Sequence, residues 1–220
     1  MPIAALLFDL DGTLVDSAPG IEYAAQQALQ AILPGQTLPP LRPLLGPPIR
    51  QILQRALPNT PEVTLTALEQ AFRQAYDGDG WQKSMPFPGV PETLAELQRQ
   101  NRLCLGVTNK PQLATQKILA HCGLAAYFRE FLSPNAKQPG YPNKAAMAAD
   151  LLQRYALTPA HTALVGDTAE DLNAAQACGL PFAALTFGYG FAPNTPIPAA
   201  QWVCAKFADL LNLTLLNKAS

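Results

Sequence analysis

The stretch Ile3-Ala4-Ala5-Leu6-Leu7-Phe8-Asp9-Leu10-Asp11-Gly12-Thr13 limits what this chain can fold into more than any other. An apolar run from Ile3 to Phe8 suits a short buried strand and is too short for a globular helix. It ends in two carboxylates one residue apart. Side chains alternate faces along an extended strand, so Asp9 and Asp11 are expected to point the same way. Like charges held together raise each other's pKa unless something neutralises them. A hard divalent cation does so, and oxygen-only ligands suit magnesium. Gly12 lets the backbone turn sharply, and the Thr13 hydroxyl can tie that turn.

After Asp16 the pattern turns helical. Ser17 is a suitable N-cap, and Ile21, Ala24, Ala25, Ala28, Leu29 and Ile32 recur on one face. A proline-rich break spans Pro34 to Pro48. Ile49 to Leu57 reads as a second helix, and Leu65 to Tyr76 as a third that stops at Asp77-Gly78. No strand is convincing between Ser17 and Trp81, so this region reads as an all-helical insertion. Pro86-Phe87-Pro88-Gly89 is the expected return hinge.

Beyond the hinge the chain alternates. A helix near Pro91 precedes the strand Leu103–Val107, and a helix from Pro111 closes at Gly123. A short strand at Phe128–Leu132 and a helix from Asn143 to Tyr155 follow. The strand Ala163–Val165, a helix to Gly179 and the strand Phe182–Phe187 complete the pattern. Leu210 to Leu216 is expected to pack on the core. Such alternation argues for a parallel sheet covered on both faces, with ligands at the carboxyl ends of its strands. Asp9, Thr108 and Asp167 all fall at such ends, which points to one shared site.

Two more segments carry chemistry. Val107-Thr108-Asn109-Lys110-Pro111 lies where a strand hands over to a helix, and a hydroxyl with free N–H groups there makes a phosphate cradle. Val165-Gly166-Asp167-Thr168-Ala169-Glu170-Asp171 places two acids one helical turn apart, able to face each other.

The Asp-x-Asp-Gly-Thr pattern, with these segments in this order, resembles the haloacid dehalogenase superfamily, and Thr-Asn-Lys-Pro resembles its phosphoglycolate phosphatase-like branch. The resemblance implies an α/β Rossmann-like three-layer core with a parallel sheet, over residues 1–16 and 86–220, and an inserted helical cap over 17–85. It implies Asp9 as nucleophile and Asp11 as proton shuttle. Thr108, Asn109 and a lysine would hold the phosphoryl group. Magnesium would be held by Asp9, the Asp11 backbone carbonyl and Asp167, with Asp171 behind them. The lysine is expected at Lys144, with Lys137 as runner-up, because Lys137-Gln138-Pro139 only loosely fits the commonest form. The activity implied is hydrolysis of a small phosphate ester such as 2-phosphoglycolate, through an aspartyl-phosphate. Two alternatives stay open: a phosphomutase of the β-phosphoglucomutase type and a non-catalytic binding protein. The dehalogenase branch needs no magnesium and lacks this motif. Phosphonatases use a lysine in the cap, where this chain has only Lys83, at the hinge.

Composition narrows the partners. Net charge is −1, with no basic stripe for nucleic acid and no polybasic anchor for a membrane. Cys104, Cys122, Cys178 and Cys204 form no C-x-x-C pair and are expected as free thiols in a reducing compartment, the cytoplasm. A small phosphorylated metabolite is the expected partner, met by a monomer or homodimer. Within the insertion, Leu45-Gly46-Pro47-Pro48-Ile49-Arg50 reads as a substrate loop. Its Arg50 is the expected cation for a substrate carboxylate or second phosphate.

Overall fold

The computed structural model describes residues 3–193 and 196–213. Six strands form one parallel sheet: β1 (Ala5–Phe8), β4 (Leu103–Val107), β5 (Glu130–Leu132), β6 (Thr162–Gly166), β7 (Phe182–Leu185) and β8 (Trp202–Cys204), in the order β5-β4-β1-β6-β7-β8. The strand that opens the chain is therefore central. It pairs Ala5 with Leu103 on one side and with Thr162 on the other. The chain order reverses across β1, so the crevice at the carboxyl ends of β4, β1 and β6 is where such a sheet receives a ligand.

Alternation along β1 explains the layers. Leu6 and Phe8 pack on one face against Val90, Leu94 and Leu97 of α4 (Val90–Arg99) and Ile118 of α5 (Gln112–His121). Leu7 packs on the other against Met147 and Leu151 of α6 (Lys144–Arg154) and Ala174 of α7 (Ala169–Ala177). Burial of each large apolar side chain contributes roughly 1.5–3 kcal/mol. A four-residue strand is thus fixed by its two apolar faces rather than by propensity. This is the expected three-layer α/β architecture.

A third cluster lies outside these layers. Ala24, Ala28 and Leu29 of α1 (Ala18–Ile32), Ile52 and Leu53 of α2 (Ile49–Ala56), and Leu65, Leu68 and Phe72 of α3 (Glu62–Gly78) pack together. The chain enters and leaves this helical unit at one place. The short strands β2 (Val15–Asp16) and β3 (Met85–Pro86) run antiparallel, with Val15 opposite Pro86 and Asp16 opposite Met85.

Several local expectations need correction. The β2–β3 ribbon and β8 do not show in the sequence pattern, being only two or three residues long. Ser17 begins α1, but its hydroxyl is buried without a hydrogen bond. The Asp16 carboxylate accepts from Ala18 N–H instead. α5 starts just after Pro111, as expected, and the Asn135 side chain accepts from Gln112 N–H. Of the apolar tail, Leu210 and Leu213 are buried, while Thr214, Leu215 and Leu216 lie outside the described residues.

Candidate active site

Asp9 and Asp11 follow directly on β1 and line one cavity, together with Thr108 and Asn109 beyond β4 and Lys144 at the start of α6. Its volume is about 170 Å³. The opposite wall comes from the helical unit, through Ile21, Leu45, Gly46, Pro47, Pro48, Ile49, Ile52, Phe72, Arg73, Tyr76 and Asp77. Asp167 and Asp171 are fully buried beneath the floor.

Lys144 ties the floor together. Its Nζ lies 3.0 Å from Asp9 Oδ1 and 2.5 Å from Asp171 Oδ1. Burial alone would lower its pKa, but the Asp171 and Asp9 carboxylates more than reverse this and keep it charged. Asn143 caps α6 by accepting from Ala146 N–H at 2.9 Å, which fixes where the helix, and so Lys144, begins. Asp171 is held just as firmly. It closes a capping box with Thr168, accepting from the Thr168 N–H at 3.0 Å and hydroxyl at 2.6 Å. A Cβ on Gly166 would stand 2.4 Å from the Asp171 Cβ, so the absence of a side chain there lets α7 come this close.

Asp167 accepts from the Thr13 hydroxyl at 2.8 Å and from Tyr189 N–H at 2.7 Å. Thr13 thus serves the acid across the crevice rather than its own turn. Gly12 has φ +82°, and a Cβ on it would lie 2.3 Å from Asp167 Oδ2. The turn after β1 is therefore restricted to glycine by both conformation and space.

The three acids test the fit of a metal. One oxygen from each of Asp9, Asp167 and Asp171 lies within 4.8 Å of the others, all buried. Burial pushes the Asp9 carboxyl well above the usual range, with the Asp171, Asp167 and Asp11 charges adding to it and Lys144 opposing. Burial, then the Asp171 charge, pushes Asp167 up to about 7. Three acids against one ammonium leave excess negative charge, and an all-oxygen donor set suits a hard divalent cation. The residues fit such an ion.

In the sequence Lys110 stands out only as part of Thr-Asn-Lys-Pro. Its Nζ lies 3.1 Å from Asp11 Oδ1 and 4.7 Å from the centre of the Tyr76 ring. The Thr108 hydroxyl accepts from Lys110 N–H at 3.2 Å, and the Asn109 side chain donates to Glu170 at 2.7 Å. Tyr189, which no motif marks, also lines the cavity. The Gly188-Tyr189-Gly190 string after β7 is the available signal, since it follows a strand's carboxyl end.

Two candidates lie elsewhere. Arg50 does not line the cavity. Its guanidinium donates to Glu69 at 2.9 Å and to Glu62, both on α3, so it braces α2 against α3. The predicted loop does reach the cavity through Leu45 to Ile49, but the cation on that wall is Arg73. Lys137 is also remote, with its Nζ 4.1 Å from the centre of the Tyr141 ring beside a different hollow. Lys83, at the hinge, packs over Tyr23.

The sequence model of the haloacid dehalogenase-like hydrolases matches residues 6–185, a span that includes every element lining the floor of the cavity. The chain belongs to this family. Among haloacid dehalogenase-like hydrolases it is 33% identical to the phosphoglycolate phosphatase of Vibrio vulnificus strain CMCP6, over 98% of this chain and 97% of that one. A solved haloacid dehalogenase-like hydrolase from Streptococcus pneumoniae superposes with a TM-score of 0.82 at 25% identity, covering 95% of this chain and 97% of the other. A predicted phosphoglycolate phosphatase from Haemophilus somnus 129pt gives 0.81 at 28%, covering 95% and 96%. Within the family the likeness is to the phosphoglycolate phosphatase-like branch, and the expectation of a phosphoric monoester hydrolase stands with it. Among the described residues no helix is long and apolar enough to cross a membrane.

Proposed function

We propose that this chain is a magnesium-dependent phosphatase for a small phosphorylated metabolite of the 2-phosphoglycolate kind, acting through an aspartyl-phosphate on Asp9. One observation carries the reading. Asp9 and Asp11 leave the end of one buried strand into one small cavity, and each has a buried ammonium beside it.

In this reading Asp9, oriented by Lys144, attacks phosphorus in line and the ester bond breaks. Asp11 gives its proton to the leaving alkoxide. It then takes one from the water that hydrolyses the aspartyl-phosphate. Lys144 and the Thr108 hydroxyl offset charge on the equatorial oxygens, with Asn109 beside them. A magnesium ion held by Asp9, Asp167 and the Asp11 backbone carbonyl, with Asp171 behind, would supply further charge neutralisation. Residues 17–85 act as a cap on a core of 1–16 and 86–220, excluding water when closed. The four free cysteines suit a reducing compartment such as the cytoplasm.

Phosphate release from 2-phosphoglycolate, with magnesium and with EDTA, tests the reading. Turnover should need the metal and should vanish in Asp9→Asn without loss of fold. Asp11→Asn should lower it by roughly 10²–10⁴-fold, the usual worth of general acid–base help. Full turnover in Asp9→Asn would sink the covalent route.

A further inference from the structure

We propose that Lys110 reads the leaving group, selecting phosphate esters whose alcohol carries a carboxylate on the carbon next to the ester oxygen. The inference rests on the phosphatase reading above, in which Asp11 serves the leaving oxygen.

Three cations line the cavity: Arg73, Lys110 and Lys144. Lys144 is committed to Asp9 and Asp171, on the phosphoryl side. Arg73 is half exposed and donates from Nε and Nη2 to Glu69. Lys110 differs from both. Its side chain is only 9% exposed, and its Nζ is held between Asp11 Oδ1 at 3.1 Å and the Tyr76 ring face of the helical unit. In the phosphatase reading Asp11 serves the leaving oxygen, and Lys110 is the cation beside Asp11.

A buried ammonium is costly unless it is matched. Here Asp11 Oδ1 at 3.1 Å and the Tyr76 ring face supply the match. The Tyr76 hydroxyl is close enough to favour that charge, yet it is buried without a hydrogen bond of proper geometry. The leaving-group end thus presents a fixed cation and a polar group with spare hydrogen-bonding capacity. A neutral alcohol has no use for either. A carboxylate one carbon from the ester oxygen meets Lys110 while that oxygen meets Asp11, because Nζ and Asp11 Oδ1 are themselves neighbours. Lys144 and Lys110 would then match the two anionic ends of one short molecule.

The test compares kcat/KM for 2-phosphoglycolate and for 2-hydroxyethyl phosphate, which has the same length but no carboxylate, in the wild-type protein and in Lys110→Met. Taking the ratio of the two esters cancels any harm common to both, such as a disturbed Asp11. The wild type should prefer the carboxylate, and Lys110→Met should cut that preference roughly 10- to 100-fold, the worth of one charge-assisted hydrogen bond. Lys110→Arg, which keeps the charge, should hold the preference within a few-fold. If Lys110→Met melts below the assay temperature, Lys110→Gln gives the same comparison. An unchanged ratio, with both esters slowed alike, would mean that Lys110 serves Asp11 alone and would overturn the inference. If the wild type hydrolyses neither ester, the phosphatase reading fails. The Lys110 inference is then decided by titrating both esters into wild type and Lys110→Met: a carboxylate preference lost in the variant upholds it, and no preference in the wild type overturns it.

Discussion

The Tyr189 hydroxyl donates to Asp16 Oδ1 at 2.8 Å, at the point where the chain passes from the sheet to the helical unit. The same phenol oxygen accepts from Ser17 N–H at 2.7 Å and Ala18 N–H at 3.0 Å, the first N–H groups of α1. The backbone N–H of Tyr189 holds Asp167, so one residue touches both the acid cluster and the root of the helices. Arg42 completes the arrangement, bonded to Asp16 Oδ2 and lying 5.4 Å from the centre of the Tyr189 ring.

Tyr189→Phe should therefore loosen the helical unit without emptying the core. The ring stays, but the Ser17 N–H loses its partner, at about 1–3 kcal/mol for a group left buried and unsatisfied, while Ala18 N–H keeps Asp16 and Asp16 keeps Arg42. The expected result is a lower melting temperature and a raised KM, with kcat changed less because Asp167 keeps its bond to the backbone. Steady-state kinetics and thermal melts check it. An unaltered KM would detach Tyr189 from closure.

The sequence was legible where periodicity or spacing carried the information. The strand at Leu103–Val107 and the helix ending at Ile32 follow from apolar patterning alone, and Asp9, Thr108 and Asp167 converge because a parallel sheet gathers its strand ends. Tyr189 was not legible, because its value comes from a contact with residues 172 and 173 positions away. Arg50 misled for a related reason. Its position on the loop suits a substrate contact, but Glu62 and Glu69, one helix later, take up its charge before any ligand can. Pairing of that kind depends on how α2 packs on α3, which no local pattern records.

Lys144→Ala and Lys137→Ala should differ sharply. Lys144 is 4% exposed and faces two buried carboxylates, so its loss leaves uncompensated charge as well as an unheld phosphoryl group. Breaking a buried pair typically costs about 3–5 kcal/mol. Turnover should fall at least 100-fold, about 2.7 kcal/mol of transition-state stabilisation, with a lower melting temperature. Lys137→Ala should stay within about two-fold, since it gives up one exposed cation–π contact of about 0.5–1 kcal/mol. Equal, mild losses would show that the phosphoryl lysine lies elsewhere.

Gly166→Ala tests how tightly α7 is seated. The added methyl would stand 2.4 Å from both Cβ and Cγ of Asp171, and that side chain is pinned by Thr168 and Lys144 and cannot swing away. Overpacking of this kind costs about 1–3 kcal/mol. Displacing Asp171 also withdraws a carboxylate from Lys144, so activity should fall more than stability. A variant with wild-type turnover would mean that Asp171 tolerates displacement.

Magnesium should stabilise the protein more at pH 7.5 than at pH 5. Burial raises the Asp167 pKa from 3.8 to about 7 in the metal-free fold. Between those values the folded state binds more protons than the unfolded one. Metal-free stability should therefore decline as pH rises through this window. A divalent cation replaces those protons, and its binding releases them, so its affinity grows over the same range. Thermal melts from pH 5 to pH 7.5, in EDTA and in excess magnesium, should show two curves that diverge as pH rises, the metal-free one falling. Asp167→Asn should bring them together, because it removes both the titrating acid and a ligand charge. Curves that stay parallel in the wild type would place the metal away from Asp167.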